Sequence, residues 1–553
     1  MEEKKFTVEW HDTDFLCVGG GIAGLMAAIN AGAQGMDCVV LDKADTRRSG
    51  SGGLGNDHFI CYIPEIHGDY ATFISDILKL QNGDRLRQMG PEWARAFFMK
   101  TGDIVRMWDE WGISMKHNGE YYFAGHAVPG RTRAFLKYNG IDQKVILTKQ
   151  AKKNGVKIHN RAMGYEILLD EQGRAAGVFA VDTREYKAYV YRAKAICLGT
   201  GAPNGVFPNA NRGAWAMRTN PLNLTGDGRA MAYRAGAELC NMEMPGLHAG
   251  VKYFCRNGQA TWEGVLRDCH GDPIGPFLTK PNPLYGDITM EVNKRHIESY
   301  TRTARSPVYM DMTGLTREQL NLMEHWLRQE GNSTLLRHFK QEGIDMIDTA
   351  VEFSTYVLKL PISSGIAFNG KSETCVPGLY AAGDEGYGGI SGAAVTGWWA
   401  ADSAREYVAD KEFADASLLQ PKVDECLKLV EELCGREDGA HWLEAKMAME
   451  NIAWDYCGEL RSHPMLEAGL AHLRRVHDRA RKTLRAENPH ELTYCLGMLN
   501  LFELAEVMFL MADERKESRG QHRRVDYPLQ NLMLDGKRHF IRKNGDEAVM
   551  SWR

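Results

Sequence analysis

The stretch 14–24, reading DFLCVGGGIAG, constrains this fold more than any other. It is an apolar strand, a glycine turn and the start of a helix that continues through Leu25, Met26, Ala27, Ala28 and Ile29. Gly19, Gly21 and Gly24 supply the spacing G-x-G-x-x-G. The first glycine permits the tight turn, the second lets backbone approach a pyrophosphate, and the third lets the helix lie close on its strand. The phosphate then rests on the helix N-terminus, where the N–H groups of Ile22 and Ala23 lack partners and the dipole is positive. A second apolar run, Cys38 to Leu41, ends in Asp42, about where an acid should take a ribose hydroxyl. A plain glycine turn would explain the first half of this pattern but not the strand and acid that follow.

At 553 residues the chain is too long for one core and implies two or three domains. Its net charge of -5 comes without a basic block, which argues against nucleic acid as a partner. No uninterrupted apolar run approaches the ~20 residues of a bilayer span, and the first residues, MEEKK, lack the apolar stretch of a secretory signal. The 12 cysteines contain no C-x-x-C, and Cys17, Cys38, Cys197 and Cys240 sit in apolar runs. They read as buried thiols in a reducing, cytoplasmic setting, with no iron–sulfur cluster and no metal held by this chain.

After Asp42 comes a loop rich in glycine and serine, 47–58, whose glycines suggest backbone pressed against something flat or anionic. Helical periodicity runs over 84–111. Strands are expected at 165–169, 176–181 and 186–191, the first two joined by the turn 170–174, which makes a meander. Residues 193–202 then repeat the strand-into-glycine theme with Gly199, Thr200 and Gly201, and Thr225-Gly226-Asp227-Gly228 opens a helical run over 229–237. Composition shifts over 248–354, where a helix is expected at 316–336. A third glycine theme, 377–384, ends in Gly383-Asp384 and leads to an expected loop at 388–394 and a helix over 398–408. From 416 on the pattern is helical, with Leu501, Leu504, Met508 and Met511 on a core face, and the tail after 526 is turn-rich and then strand-like.

These three glycine themes, with SRGQHRRVDYP at 518–528, resemble the flavoprotein subunits of succinate dehydrogenase and fumarate reductase, and in character the adenylylsulfate reductase flavoprotein. The resemblance implies an α/β fold: a Rossmann-like FAD-binding domain (1–247 and 355–415) interrupted by a capping domain (248–354), then a C-terminal helical domain and tail (416–553). It places Asp42 and Lys43 on the adenosine side of FAD and Asp384 on the flavin side. Ser49, Gly50, Gly53, Gly199, Thr200, Gly201, Asp227 and Gly383 would line the cofactor, as would Ala394 and Val395. In the membrane-bound relatives a histidine that links flavin covalently follows Arg-Ser; here Arg48-Ser49 is followed by Gly50, so FAD should be noncovalent. His58 falls out of register with that position and stays open as either a pocket-lining residue or a surface or packing histidine.

The catalytic set departs from the family. Gly286 stands where the proton-donating arginine is expected, and Val395 where the carboxylate-clamping arginine is expected. Neither can donate a proton or pair with a carboxylate, so a dicarboxylate reductase is not expected unless Arg302 or Arg305 substitutes. His248 keeps the family's spacing from Glu243, either as a proton-handling group or as a structural histidine. Tyr387 and Ser391 are weaker candidates, and Tyr387, Val395, Trp398 and Trp399 suggest an apolar pocket. Three functions stay open: a self-contained FAD oxidoreductase acting on an organic substrate, a subunit exchanging electrons with a separate ferredoxin-like iron–sulfur protein, or a flavin-stabilised structural subunit of a larger complex.

Overall fold

The structure is a computed structural model that describes residues 5–78, 90–125, 131–208, 221, 223–251, 261–274, 279–282, 303–359 and 364–553. The strands are β1 (Thr7–Val18), β2 (Cys38–Asp42), β3 (His58–Ile60), β4 (Tyr122–Gly125), β5 (Phe135–Lys137), β6 (Lys157–Asn160), β7 (Ala162–Leu169), β8 (Ala175–Asp182) and β9 (Lys187–Leu198). They continue as β10 (Leu239–Cys240), β11 (Gly246–Val251), β12 (Val265–Arg267), β13 (Val308–Asp311), β14 (Val351–Lys359), β15 (Gly365–Ile366), β16 (Leu379–Ala381), β17 (His539–Asn544) and β18 (Glu547–Trp552).

The central sheet runs β6-β2-β1-β9-β8-β7, with β16 also paired to β9. β6, β2, β1, β9 and β16 are mutually parallel, and β7, β8 and β9 form the expected antiparallel meander. The strands expected at 186–191 and 193–198 are one strand, β9. Arg192, between the two expected strands, reaches out to Asp12 on β1 at 2.7 and 2.6 Å. The first half of β9 pairs with β8 and its end pairs with β16, so the parallel C-terminal edge carries all three glycine themes side by side. Ligands of open α/β sheets bind outside that edge.

Helix α1 (Ile22–Ala33) packs against the sheet and is buried along nearly its whole length. Helix α2 (Pro91–Glu110) lies within the expected 84–111 segment, of which 84–89 is outside the described residues. Next come α3 (Gln143–Lys153) and α4 (Asp227–Arg234). In the cap, the helix expected over 316–336 is two helices, α5 (Arg317–Gln329) and α6 (Ser333–Glu342). Gly331, at φ +88, turns the chain between them in a conformation that side-chain-bearing residues rarely adopt. The cap sheet is β11-β14-β13-β12, over a core that includes Trp262, Met310, Met323 and Phe339.

Helix α7 (Ile390–Val408) begins eight residues before the expected 398, so Ser391, Gly392, Ala393 and Ala394 are helical and not loop. Their small size serves packing: a Cβ on Gly397 would run into the backbone oxygen of Ala23, so α7 and α1 cross at backbone contact. Helices α8 (Ala416–Gly435), α9 (Trp442–Cys457), α10 (His463–Thr483) and α11 (Pro489–Glu514) form the C-terminal bundle. α11 is long and apolar enough to cross a bilayer, but 83% of its apolar window is buried within this chain. Leu501, Leu504, Met508 and Met511 are all in that buried face. β17 and β18 join β10 and β15 in a small sheet.

Candidate functional site

A cavity of about 300 Å³ opens at the C-terminal edge of the central sheet, lined from the nucleotide-type half by Gly19, Gly21, Asp42, Ser49, Gly199 and Asp384 and from the cap by Glu330. Backbone is close-packed at its floor. Gly19 has φ +99, and a Cβ there would stand 2.5 Å from the oxygen of Gly199. Gly24 lies behind it, where a Cβ would collide with the oxygen of Gly19. Gly24 and Gly53 therefore shape the cradle without lining it.

Two helices aim bare N-termini at the cavity. α1 starts from Gly21 and α7 from Gly389, and neither has a side-chain cap. Ile22, Ala23, Ile390 and Ala393, from the first turns, all line the space. Two uncapped positive helix ends and a glycine floor fit a diphosphate and an electron-rich ring. Behind the first turn sits Lys144 of α3, buried, its Nζ on the carbonyl of Gly20. Burial pulls this lysine down to about 8 against the opposing charges of Asp42 and Asp45.

Asp42 is held for use as an acceptor. Its carboxylate takes hydrogen bonds from the Gly20 N–H at 2.9 Å, the Ser49 hydroxyl at 2.7 Å and the Ala44 N–H at 2.7 Å. Lys43 lines the cavity but is already engaged, donating to Asp227 at 2.7 Å and to Thr225 at 3.0 Å. Thr200 donates both its N–H, at 2.8 Å, and its hydroxyl, at 2.5 Å, to Glu385, and accepts from the Gly228 N–H at 2.9 Å. Burial pushes Glu385 up to about 7, opposed by Arg229 and Thr200. The side chain of Asp384 accepts from the Gly389 N–H at 2.9 Å, which fixes the start of α7.

Gly50, Thr200, Gly201 and Asp227 also line the cavity; Gly383, Ala394 and Val395 are buried behind it. Tyr387 lies against Trp93 and Phe97, with ring centroids 4.6 and 5.2 Å apart, and Trp399 joins the same aromatic cluster. Neither they nor Ser391, Val395 and Trp398 face the cavity, so the apolar aromatic pocket expected there belongs to the core. His248 sits in β11, paired with Tyr356 of β14, but its side chain is outside the described residues. Gly286 and Arg302 are outside them as well. Arg305 is turned to Asp268 and, at 2.8 Å, to Asp272.

The cap end of the cavity is built from residues that sequence reading does not bring together. The loop 49–57 crosses from the phosphate turn to the cap: a Cβ on Gly50 would lie 3.9 Å from Gly21 Cα, and one on Gly55 would strike the oxygen of Gln329. It delivers Asn56 and His58 to the lining, where Glu330, released at the α5–α6 corner, meets them. His58 Nδ1 is 2.8 Å from Asp57 and 3.5 Å from Glu330. Asp57 in turn receives Lys137 at 2.5 Å and the Thr261 hydroxyl at 2.6 Å, and Thr261 also reaches Glu330 at 3.2 Å. Burial pulls His58 down, but Asp57 and Glu330 outweigh it and bring the ring to about 9. Burial and the Asp57 charge push Glu330 up to about 7. The one signal in the sequence is an Asp-His pair directly after the glycine loop.

The fold and this cavity define an FAD-dependent oxidoreductase. The glycine floor, helix ends and Asp42 fit the adenosine and diphosphate of FAD, and Gly50 offers no side chain for a covalent link to the flavin. Residues 14–261 match the model of an FAD binding domain, and 446–544 match the fumarate reductase flavoprotein C-terminal region. The chain belongs to the succinate dehydrogenase/fumarate reductase flavoprotein superfamily. It is 27% identical to an L-aspartate oxidase of Streptomyces coelicolor, over 97% of this chain and 92% of that protein. It is 26% identical to the 8-methylmenaquinol:fumarate reductase flavoprotein of Wolinella succinogenes, over 93% of this chain and 86% of that one. The adenylylsulfate reductase structure from Archaeoglobus fulgidus superposes with a TM-score of 0.84 at 20% identity, covering 100% of this chain and 97% of that one, which shows a shared fold.

Proposed function

We propose that this chain is the flavoprotein subunit of an oxidoreductase that exchanges electrons between noncovalent FAD and either an organic substrate or a ferredoxin-like iron–sulfur partner. The observation that carries the reading is the cavity itself: an FAD cradle bounded on one side by His58 and by Glu330 from the cap. Bound FAD supplies the hydride and single-electron chemistry. The chain's own part is to hold the diphosphate on α1, the ribose on Asp42 and the polar edge of the ring at the start of α7. The segment 248–354 covers the substrate end, with His248 as a candidate polarising or proton-handling group.

Electrons need an external route, because the sequence has no cluster spacing and no second nucleotide fingerprint. A run of exposed apolar side chains in the tail, Val525, Leu529, Leu532 and Met533, favours a protein partner. Buried thiols such as Cys17, Cys61 and Cys457 suit a cytoplasmic setting.

Fumarate is not the proposed substrate. Val395, at the carboxylate-clamping position, is fully buried and away from the cavity, and Arg305 is committed to two aspartates. Purification from the native host, with metal analysis and assays with reduced viologen plus fumarate, tests the reading. The expected result is an iron-containing partner and negligible fumarate reduction. An iron-free preparation reduced rapidly by NADH or NADPH would support the self-contained oxidoreductase instead. Steady fumarate turnover would refute the substrate assignment.

A further inference from the structure

We propose that His58 is the proton-transfer residue on the cap side of the cofactor cavity, and that Glu330, brought in by the cap, is the residue that holds it charged. This rests on the FAD oxidoreductase reading above. The placement comes first. His58 and Glu330 both line the cavity, where the loop that leaves the phosphate turn meets the α5–α6 corner. Substrate sites favour such junctions between domains.

The side chains around them form a closed electrostatic unit. Asp57 and Lys137 are buried, at 0% and 2% exposure, and Glu330 is at 4%, while the His58 side chain keeps 27% of its surface. The least buried member of the cluster is thus the one able to meet a small molecule. The charged groups packed around it among the described residues come from three elements: Asp57 on its own loop, Glu330 at the α5–α6 corner, and Lys137 on the paired strand β5. Glu263 of the cap lies beyond Lys137, where burial pushes it up to about 7. Asp57 and Glu330 are matched by Lys137 and His58, so these four side chains balance in charge.

The chemistry follows from that balance. With Nδ1 engaged by Asp57, the ring exchanges its proton at Nε2. Bound FAD would supply a hydride, two electrons and one proton, to one atom of a substrate double bond in the reductive direction. The adjacent atom receives H⁺ from His58, which is left as neutral imidazole. The ring regains its proton at Nε2 from solvent, and Glu330, 3.5 Å from Nδ1, stabilises the charged imidazolium. The oxidative direction runs the same steps backwards. Asp57, Lys137 and Thr261 touch no substrate and act as positioning residues for the pair. The substrate class this suits is a polarised C=C or C=O bond adjacent to an activating group, which needs one general acid and no second carboxylate clamp.

The test uses the FAD-loaded protein and its visible absorption between pH 6 and 10.5, with ¹⁵N-histidine NMR in parallel. Wild type should show a flavin-band transition near pH 9 that coincides with titration of one histidine. His58→Gln should keep FAD bound, within about twofold in Kd, and lose both signals. Glu330→Gln, which preserves shape, should lower the His58 midpoint by about one pH unit. If His58→Gln does not fold, the Glu330→Gln shift decides alone. A chain that binds no FAD overturns the oxidoreductase reading and this proposal with it. A chain that binds FAD, but whose transition near pH 9 survives in His58→Gln or stays unmoved in Glu330→Gln, overturns this proposal only.

Discussion

Lys137 donates to Asp57 at 2.5 Å with both side chains sealed from water, at 3% and 0% exposure. The contact ties strand β5 to the loop that crosses from the phosphate turn to the cap. Removing one partner of a buried ion pair leaves the other charge uncompensated, at a cost of about 3–5 kcal/mol. Lys137→Met should therefore lower the free energy of unfolding by that amount in urea titration. The double variant Lys137→Met, Asp57→Asn should recover part of the loss. A single variant as stable as wild type would show that the pair does not hold the loop.

Acid should expose a second buried pair. Glu243 and Arg515 meet at 2.6 Å in the interior. Burial raises Glu243, but Arg515 and His539 overcome it and lower the carboxyl from 4.5 to about 2. A carboxylate depressed on folding contributes stability at pH above its unfolded value and loses it as pH falls through the folded value. Stability on the order of 3 kcal/mol should thus drain away between about pH 4.5 and pH 2. In Arg515→Met that acid-dependent loss should shrink, which equilibrium unfolding at stepped pH will measure.

Two glycines of the same turn should fail differently on substitution. Gly21 has φ -68, open to any residue, and a Cβ there would lie 3.4 Å from the Gly199 oxygen, an ordinary contact. Gly21→Val should fold and lose FAD, because its methyl groups occupy the cavity. Gly24→Val must push α1 off its strand and should lower stability by about 1–3 kcal/mol or more. Flavin content and thermal melts separate the two, and full flavin in Gly21→Val would remove the assigned phosphate site.

Acid precipitation should release all the yellow colour into the supernatant. Gly50 presents hydrogen where a linking side chain would be, and Asp57 ties His58 Nδ1 at 2.8 Å. Flavin retained on the denatured chain, followed by peptide mapping, would identify the residue that holds it.

The sequence displays the nucleotide half of the molecule because its rules are local. Gly19, Gly21 and Gly24 recur at a fixed spacing within one strand–turn–helix unit, although Gly19 and Gly21 face Gly199 of a later turn, and Cys38 to Asp42 follows at a fixed distance. Where a residue's role lies in tertiary contact, local reading fails. Gly392 and Gly397 fall before the helix that the pattern predicts, yet both are helical, and the smallness of Gly397 lets α7 touch α1. Arg192 falls between two strands that the pattern separates, yet it lies inside β9 and pairs with Asp12. Gly331-Asn332 does mark a turn, but the apolar pattern on both sides hides it. The Asp57–His58–Lys137–Thr261–Glu330 cluster draws on residues scattered from 57 to 330, and no spacing rule reaches that far.

The corner at Gly331 has a consequence for how such a chain can diversify. Glu330 comes from the α5–α6 corner and Thr261 from the chain just before β12, whereas Asp57, His58 and Lys137 come from the loop after the phosphate turn, β3 and β5. An insertion that merely covered a site could be exchanged for another of similar outline. This one supplies Glu330, one of the four charged groups of an ionic seat, so a transplanted cap lacking it would leave His58 without one of its two carboxylates. New specificity in this lineage must then arise by changes inside the cap, or by replacing cap and loop together as one heritable unit.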